Sequence, residues 1–282
     1  MKRLNAVLFG AGGVGRRLFD LIVDGDEYNV IAFLDNDSSK HGSDYRGVPI
    51  YPPSYLNKLP FERLIYATQM GFREIGAQIE ALGVSLEKVE KGYIETISNA
   101  RLLSLQRAAE QIHQGGVAGS VAEAGVYRGA FAKHINAAFP ERKLYLFDTF
   151  SGFDSKDFSY ESDASLIKAD HFRDTSIEDV RRKMKFPENC SFHQGFFPDT
   201  AKDIEETFAF VSLDLDLYKP TYEGLLYFWP RLSSGGFIFI HDYFLPSYPN
   251  VKKAVEAFEK LVGSKIAKSP IGDDLSIALI KL

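Results

Sequence analysis

The chain has 282 residues, 45% of them hydrophobic and 25% charged, with 12 prolines, 23 glycines and one cysteine. Such a chain folds as one large or two modest domains with ample apolar surface to bury, which excludes disordered, collagenous and disulfide-stapled classes. A formal charge of −5 argues against a partner that is nucleic acid or an anionic membrane face.

Cys190 has no second cysteine to pair with, so a reducing compartment and a metal site free of thiolates are expected. The opening MKRLNAVLFG sets a basic tip before an apolar run, but glycines interrupt it too soon for a signal peptide. No stretch approaches the roughly 20 apolar residues of a membrane span. A cytoplasmic location is expected.

Along the chain, Ala6 to Phe9 reads as a strand, Gly10-Ala11-Gly12-Gly13-Val14-Gly15 as a glycine turn, and Leu18, Leu21 and Ile22 as the apolar side of a helix. Val30 to Leu34 is a second strand, ending in Asp35-Asn36-Asp37. Leu64 to Ala67 is a third, followed by a helix from Phe72 to Leu82. These make a small parallel α/β unit. A GxGxxG between strand and helix is the setting of the dinucleotide motif. Asp35 lies 20 residues beyond Gly15, a fitting distance for a ribose contact. Gly10, Gly12, Gly15 and Asp35 are therefore candidate nucleotide-binding residues, although no partner for hydride transfer is evident. The rhythm is lost from Tyr93 to Asn99. Ala100 to Gln114 then reads as a fresh helix with Leu102, Leu105, Ala109 and Ile112 on one face. A boundary near Ile97 divides the chain into domains 1–97 and 98–282.

The second part opens as the first does. Ser120 to Ala124 is a strand, Gly125 to Gly129 a glycine turn, Ala130 to Phe139 a helix, and Leu144 to Phe147 a strand closed by Asp148. Strands follow at Ser191 to His193, Phe210 to Leu213 and Phe237 to Ile240, with a helix from Tyr222 to Leu232. Ser264 to Lys268 and Leu275 to Ile280 form a closing hairpin, which adds an antiparallel last strand to a parallel sheet. The fold class is α/β with two Rossmann-like units.

Within the second turn, Glu123 precedes Gly125, and Val126, Tyr127 and Gly129 complete the loop. A carboxylate there suits a cationic group better than a pyrophosphate. Asp148 is placed to take the hydroxyls of a ribose, with Thr149 beside it. Together they fit S-adenosylmethionine, an adenosyl ligand with a positive amino-acid tail; the alternative is that both acids only cap local turns. Gly195 and Phe196, after the third strand, put an aromatic ring within reach of adenine, although a core role for Phe196 or Phe197 is equally open.

Two further strands end in Asp214-Leu215-Asp216 and His241-Asp242-Tyr243. Ligands collect at the carboxyl ends of strands in open α/β sheets, so both clusters face one crevice. Asp214, His241 and Asp242 suit magnesium or manganese, and Asp214 or His241 is placed to take a proton. The alternative is helix capping by the acids and an ordinary turn histidine. Ser151 to Asp174, with Asp154, Asp157, Tyr160, His171 and Arg173, is a candidate lid. Phe150, Phe153, Tyr218 and Tyr243 are candidate sugar-stacking rings at the mouth.

The strings VAEAGVYRGAFA, LYLFDTFSGF, HQGFFPDT, FVSLDLDLYKPT and GGFIFIHDY, between Val121 and Tyr243, resemble the macrocin O-methyltransferase family. The resemblance implies a class I methyltransferase fold and metal-assisted transfer from S-adenosylmethionine to a sugar hydroxyl. It implies donor contacts at Glu123, Gly125, Tyr127, Asp148 and Thr149, and Asp214 as the favoured base. It also implies a metal held by Asp214 and an acidic pair that maps onto His241 and Asp242. Histidine in place of the first acid leaves the metal's identity open. FLDNDSSKHGSDYRGVPIY resembles the N-terminal domain of bacterial enzymes that modify nucleotide sugars for surface polysaccharide, which implies nucleotide-sugar binding. A small-molecule sugar or nucleotide-sugar substrate is expected, with a homodimer as one assembly to expect. The rival readings are an NAD-dependent oxidoreductase using Gly10 to Gly15 and a non-catalytic scaffold of polysaccharide assembly.

Overall fold

Continuous apolar runs such as Ala6-Val7-Leu8-Phe9 send alternate side chains to opposite faces of a sheet, and a strand built this way needs cover on both sides. In the computed structural model, which describes residues 2–68, 72–153, 172–246 and 248–282, that cover is supplied within two compact units, Met1–Ser98 and Asn99–Leu282. The first contains β1 (Leu4–Phe9), α1 (Gly13–Ile22), β2 (Tyr28–Leu34), β3 (Asp44–Tyr45), β4 (Val48–Tyr51), β5 (Arg63–Tyr66), α2 (Phe72–Ala81) and β6 (Val89–Glu90). Its sheet runs β3-β4-β2-β1-β5-β6, parallel except for β3 against β4. Val7, Phe9, Leu64 and Tyr66 pack on Ile75 and Ile79 of α2. Ala6, Leu8 and Phe33 pack on Leu18 and Phe19 of α1 from the other face.

The second unit holds most of α3 (Gly92–Gln114), then β7 (Ser120–Ala124), α4 (Ala132–Ala138), β8 (Leu144–Asp148), α5 (Ile177–Arg181), β9 (Cys190–Gln194), β10 (Phe208–Leu213), α6 (Tyr218–Arg231), β11 (Leu232–Ile240), α7 (Pro249–Val262), β12 (Ala267–Pro270) and β13 (Ile277–Ile280). The sheet order is β12-β13-β11-β10-β7-β8-β9. β13 runs antiparallel to both β11 and β12, the antiparallel last strand expected from the sequence. β7 lies between β8 and β10, so the strand order reverses beside it and a crevice opens at the carboxyl ends. Phe210 and Phe147, both fully buried, anchor the two faces of this sheet.

Two of the differences from expectation bear on the cores. α3 begins at Gly92 instead of Ala100. Its first turns give Ile94 and Ile97 to the first core, while Leu105, Ala108 and Ile112 belong to the second, so the apolar rhythm changes phase inside one helix. α7, absent from the expectations, buries Val251, Ala254, Val255 and Phe258 at helical spacing between Pro249 and the left-handed cap Gly263.

Candidate active site

The end of β7 is held by its neighbours. Gly125 has φ +84° and donates its N–H to the Phe147 carbonyl at 2.9 Å. A Cβ there would lie 1.8 Å from the carbonyl oxygen of Asp214, so the first demand on this glycine is the close approach of β10. The turn that follows is tied to β8 through Asp148. Its Oδ2 accepts the N–H groups of Val126 at 2.8 Å and Tyr127 at 2.7 Å, and its Oδ1 accepts that of Phe150 at 2.7 Å. Asp148 therefore organises the glycine turn, a task that leaves further lone pairs on each oxygen.

The other candidate donor contacts surround this turn. The Thr149 hydroxyl donates to the Gly152 carbonyl, and the Tyr127 hydroxyl donates to Asp174, which also pairs with Arg128. A Cβ on Gly129 would press on Val180. Gly195 donates its N–H to the Asp148 carbonyl at 2.9 Å, and half-buried Phe196 follows. Phe197 is a core residue, stacked on Phe228 at 5.5 Å. Phe150 and Tyr243 are each 7% exposed and packed in the core, which corrects their expected place as stacking rings. Tyr218 is half-buried and stacks on Tyr222. Of the candidate lid, residues 154–171 lie outside the described residues, and with them Asp154, Asp157, Tyr160 and His171.

Charged groups converge at the ends of β7, β10 and β11. Glu123 is 2% exposed, faces Ser212 across the β7–β10 ladder, and has no partner for Oε2. Burial pushes its carboxyl well above the usual range; the Arg101 guanidinium opposes this, and Asp214 and Asp148 add to it. His241 Nδ1 lies 3.2 Å from Asp214 Oδ1 and 3.0 Å from Asp242 Oδ1, yet it is buried without an aligned hydrogen bond to either. Burial works against the imidazolium, but Asp214 and Asp242 overcome it and push the pKa up to about 10. Burial would raise Asp214; instead His241 and Arg101 hold it well below the carboxylate range. Half-buried Asp216 is pushed up, first by burial and then by the charges of Asp242 and Asp214.

Asp214, His241 and Asp242 are the group among the described residues whose ligand atoms all lie within 4.8 Å of one another. Two carboxylate oxygens and a nitrogen left without a hydrogen bond form a donor set that fits a hard or borderline divalent cation. Arg101, on α3, was not anticipated. Its Nη1 and Nη2 donate to Asp214 Oδ2 at 3.5 and 3.3 Å, and its guanidinium carbon sits 4.0 Å from the Phe131 ring centroid. Tyr248 was also missed: burial and the charges of Asp216, Asp242 and Asp214 raise its phenol.

In the first unit, a Cβ on Gly15 would fall 1.9 Å from the Gly10 carbonyl oxygen, and one on Gly10 would fall 2.6 Å from that of Ala67. Gly12 has nothing within 4 Å of such an atom. Asp35 Oδ2 accepts the Ala11 N–H at 2.8 Å and pairs with Lys40 Nζ at 3.0 Å, while Oδ1 accepts the Asp37 N–H. The carboxylate after the second strand thus holds the glycine turn in both units. No helix among the described residues is long and apolar enough to cross a membrane.

Residues 69–271 match the family described as Macrocin-O-methyltransferase (TylF), and residues 2–90 match the family described as C2185-like, N-terminal. Mycinamicin III 3''-O-methyltransferase of Micromonospora griseorubida is 32% identical over 54% of this chain and 65% of its own length. An 8-demethyl-8-(2,3-dimethoxy-alpha-L-rhamnosyl)-tetracenomycin-C 4'-O-methyltransferase of Streptomyces olivaceus is 29% identical over 51% of this chain and 60% of its own. The chain thus spans less than two thirds of either relative. The solved O-methyltransferase NovP superposes with a TM-score of 0.56 at 25% identity, covering 64% of this chain and 79% of that one. The second unit has the class I methyltransferase fold.

Proposed function

Because the chain belongs to the macrocin-O-methyltransferase (TylF) family, we propose that it is an S-adenosylmethionine-dependent O-methyltransferase acting on a sugar hydroxyl, in a nucleotide sugar or glycan precursor. The observation that carries this reading is the meeting of Asp214, His241 and Asp242 at the strand ends that also hold buried Glu123, whose Oε2 has no hydrogen-bond partner. The donor supplies a methyl group made electrophilic by positive sulfur. Glu123 offers a carboxylate to its ammonium, Asp148 keeps the turn in shape and offers spare lone pairs to a ribose, and Gly195 with Phe196 borders the adenine. Asp214, His241 and Asp242 are the residues that would hold magnesium or manganese, whose charge lowers the pKa of a bound hydroxyl.

The chain's own groups then divide the work. Oδ2 of Asp214 faces Arg101 and Oδ1 faces His241, which lowers its basicity and makes it a poor proton acceptor. Asp216, raised by burial and neighbouring carboxylates, is better able to accept the hydroxyl proton. Fixing acceptor oxygen and donor methyl in line supplies much of the rate, and the charged cluster supplies electrostatic stabilisation. The first unit fits a nucleotide-sugar module, since Gly12 leaves room at the turn for a ligand backbone.

Calorimetry of the full chain with S-adenosylmethionine, NAD and UDP-sugars tests the reading. It expects donor binding and no NAD binding. Binding of NAD without the methyl donor would overturn it, and donor binding with no turnover on any sugar would favour a scaffold.

A further inference from the structure

One side chain, His241, separates the cation site from an all-carboxylate one. Asp214 and His241 stand at the ends of neighbouring parallel strands, where the Asp214 N–H donates to the Ala124 carbonyl and the His241 N–H to the Leu213 carbonyl, both at 2.9 Å. Successive residues of an extended strand point to opposite faces, but Asp242 has φ +57°, and its carboxylate comes to the side of the imidazole. His241 Nδ1 then lies 3.2 Å from Asp214 Oδ1 and 3.0 Å from Asp242 Oδ1. An octahedral cation with bonds of about 2.1 Å spaces adjacent ligands by about 3.0 Å, whereas calcium, with bonds of about 2.4 Å, needs about 3.4 Å. A buried nitrogen this close to two carboxylates is ordinarily hydrogen-bonded to one of them. Nδ1 is aligned with neither, which leaves it open to a cation.

We infer that His241 makes this site select a first-row transition dication, manganese among them, over magnesium. The inference rests on the metal-assisted reading above and concerns which cation the site takes. Magnesium is hard, keeps its waters tightly and is bound through carboxylates and phosphates, so an imidazole nitrogen adds little to its binding. Manganese and the metals that follow it accept nitrogen donors more readily. An acid exchanged for His241 therefore costs magnesium a charged oxygen and gives the other cations a ligand that suits them. Arg101 sharpens the difference: its guanidinium sits 3.3 Å from Asp214 Oδ2, occupies that second oxygen and offsets part of the negative charge. With that charge reduced, electrostatic attraction alone holds a dication weakly, and the bond to nitrogen decides which one stays.

The test titrates the metal-free full chain with manganese chloride and with magnesium chloride by calorimetry, and records electron spin-echo modulation of the manganese complex, which detects a coordinated nitrogen. Manganese is expected to bind at least about tenfold more tightly than magnesium, with nitrogen modulation in its spectrum. His241→Asp, which supplies a third carboxylate, should abolish the modulation and lower the ratio of the two affinities by about tenfold. Equal affinities in the unmodified protein, or manganese bound without nitrogen modulation, overturns the inference, and neither result depends on a variant folding. An unchanged ratio in His241→Asp, or modulation that survives there, overturns it as well. In all of these cases a cation still binds and the metal-assisted reading stands. If neither cation binds the unmodified protein, that reading fails and this inference with it.

Discussion

Replacing Asp148 with alanine separates a carboxylate that holds a turn from one that only meets a ligand. Three backbone N–H groups, of Val126, Tyr127 and Phe150, end on its two oxygens at 2.7–2.8 Å. Hydrogen bonds to a charged acceptor contribute roughly 1.5–3 kcal/mol each when well buried. Asp148 is half-buried, so water replaces part of each bond, and about 1 kcal/mol apiece is the appropriate figure. The sum, about 3 kcal/mol, lowers the melting temperature of a unit this size by roughly 6–12 °C. Asp148→Asn keeps one acceptor oxygen and falls between the two. Thermal and urea unfolding without ligand reads the stability, and titration with S-adenosylhomocysteine reads donor affinity. Both are expected to fall in Asp148→Ala. An Asp148→Ala protein as stable as the parent, but deficient in donor binding, would refute the turn-holding role.

Gly125→Ala places a methyl 1.8 Å from the Asp214 carbonyl oxygen at φ +84°, so strand β10 must shift. A loss of about 3 kcal/mol or more in urea unfolding is expected, and near-parental stability would contradict the packing described. In the first unit, Gly15→Ala meets the Gly10 carbonyl oxygen at 1.9 Å while Gly12→Ala meets nothing, so thermal melts should show the first strongly destabilised and the second shifted by about 1 kcal/mol or less. The raised pKa of His241 makes a pH prediction. Its stabilising charge is fully present below the ordinary value of 6.5 and is lost as pH rises through about 10, so the metal-free protein should weaken across that window in unfolding titrations. His241→Gln should flatten that part of the profile, and an unchanged profile would show that another group is responsible.

The sequence reveals this fold where burial leaves a simple mark. β7, β8 and β10 are mostly apolar and carry Glu123, Asp148 and Asp214 at or just beyond their carboxyl ends, so their positions and the crevice above them are legible from the chain alone. α3 is hidden at its start because Ile94 and Ile97 face one core and Leu105 another, which breaks the period on which helix recognition depends. Asp214, His241 and Asp242 stand at strand ends and could be grouped by topology. Arg101 could not, because its contact with Asp214 spans 113 residues and a single arginine on a helix carries no motif. The occupation of Asp148 and Asp35 by backbone N–H groups is equally silent in sequence, since it depends on how the glycine turn curls back toward the next strand.

Methyl transfer to a sugar oxygen is the activity to measure. With isotopically methyl-labelled S-adenosylmethionine, a divalent cation and a panel of nucleotide sugars and glycosides, the full chain should place label on a sugar oxygen, as read by mass spectrometry. Asp214→Ala should place none, because it removes an oxygen that faces His241 and the partner of Arg101. Undiminished transfer by Asp214→Ala, or donor binding by the unmodified protein with no label on any acceptor, would contradict the central claim.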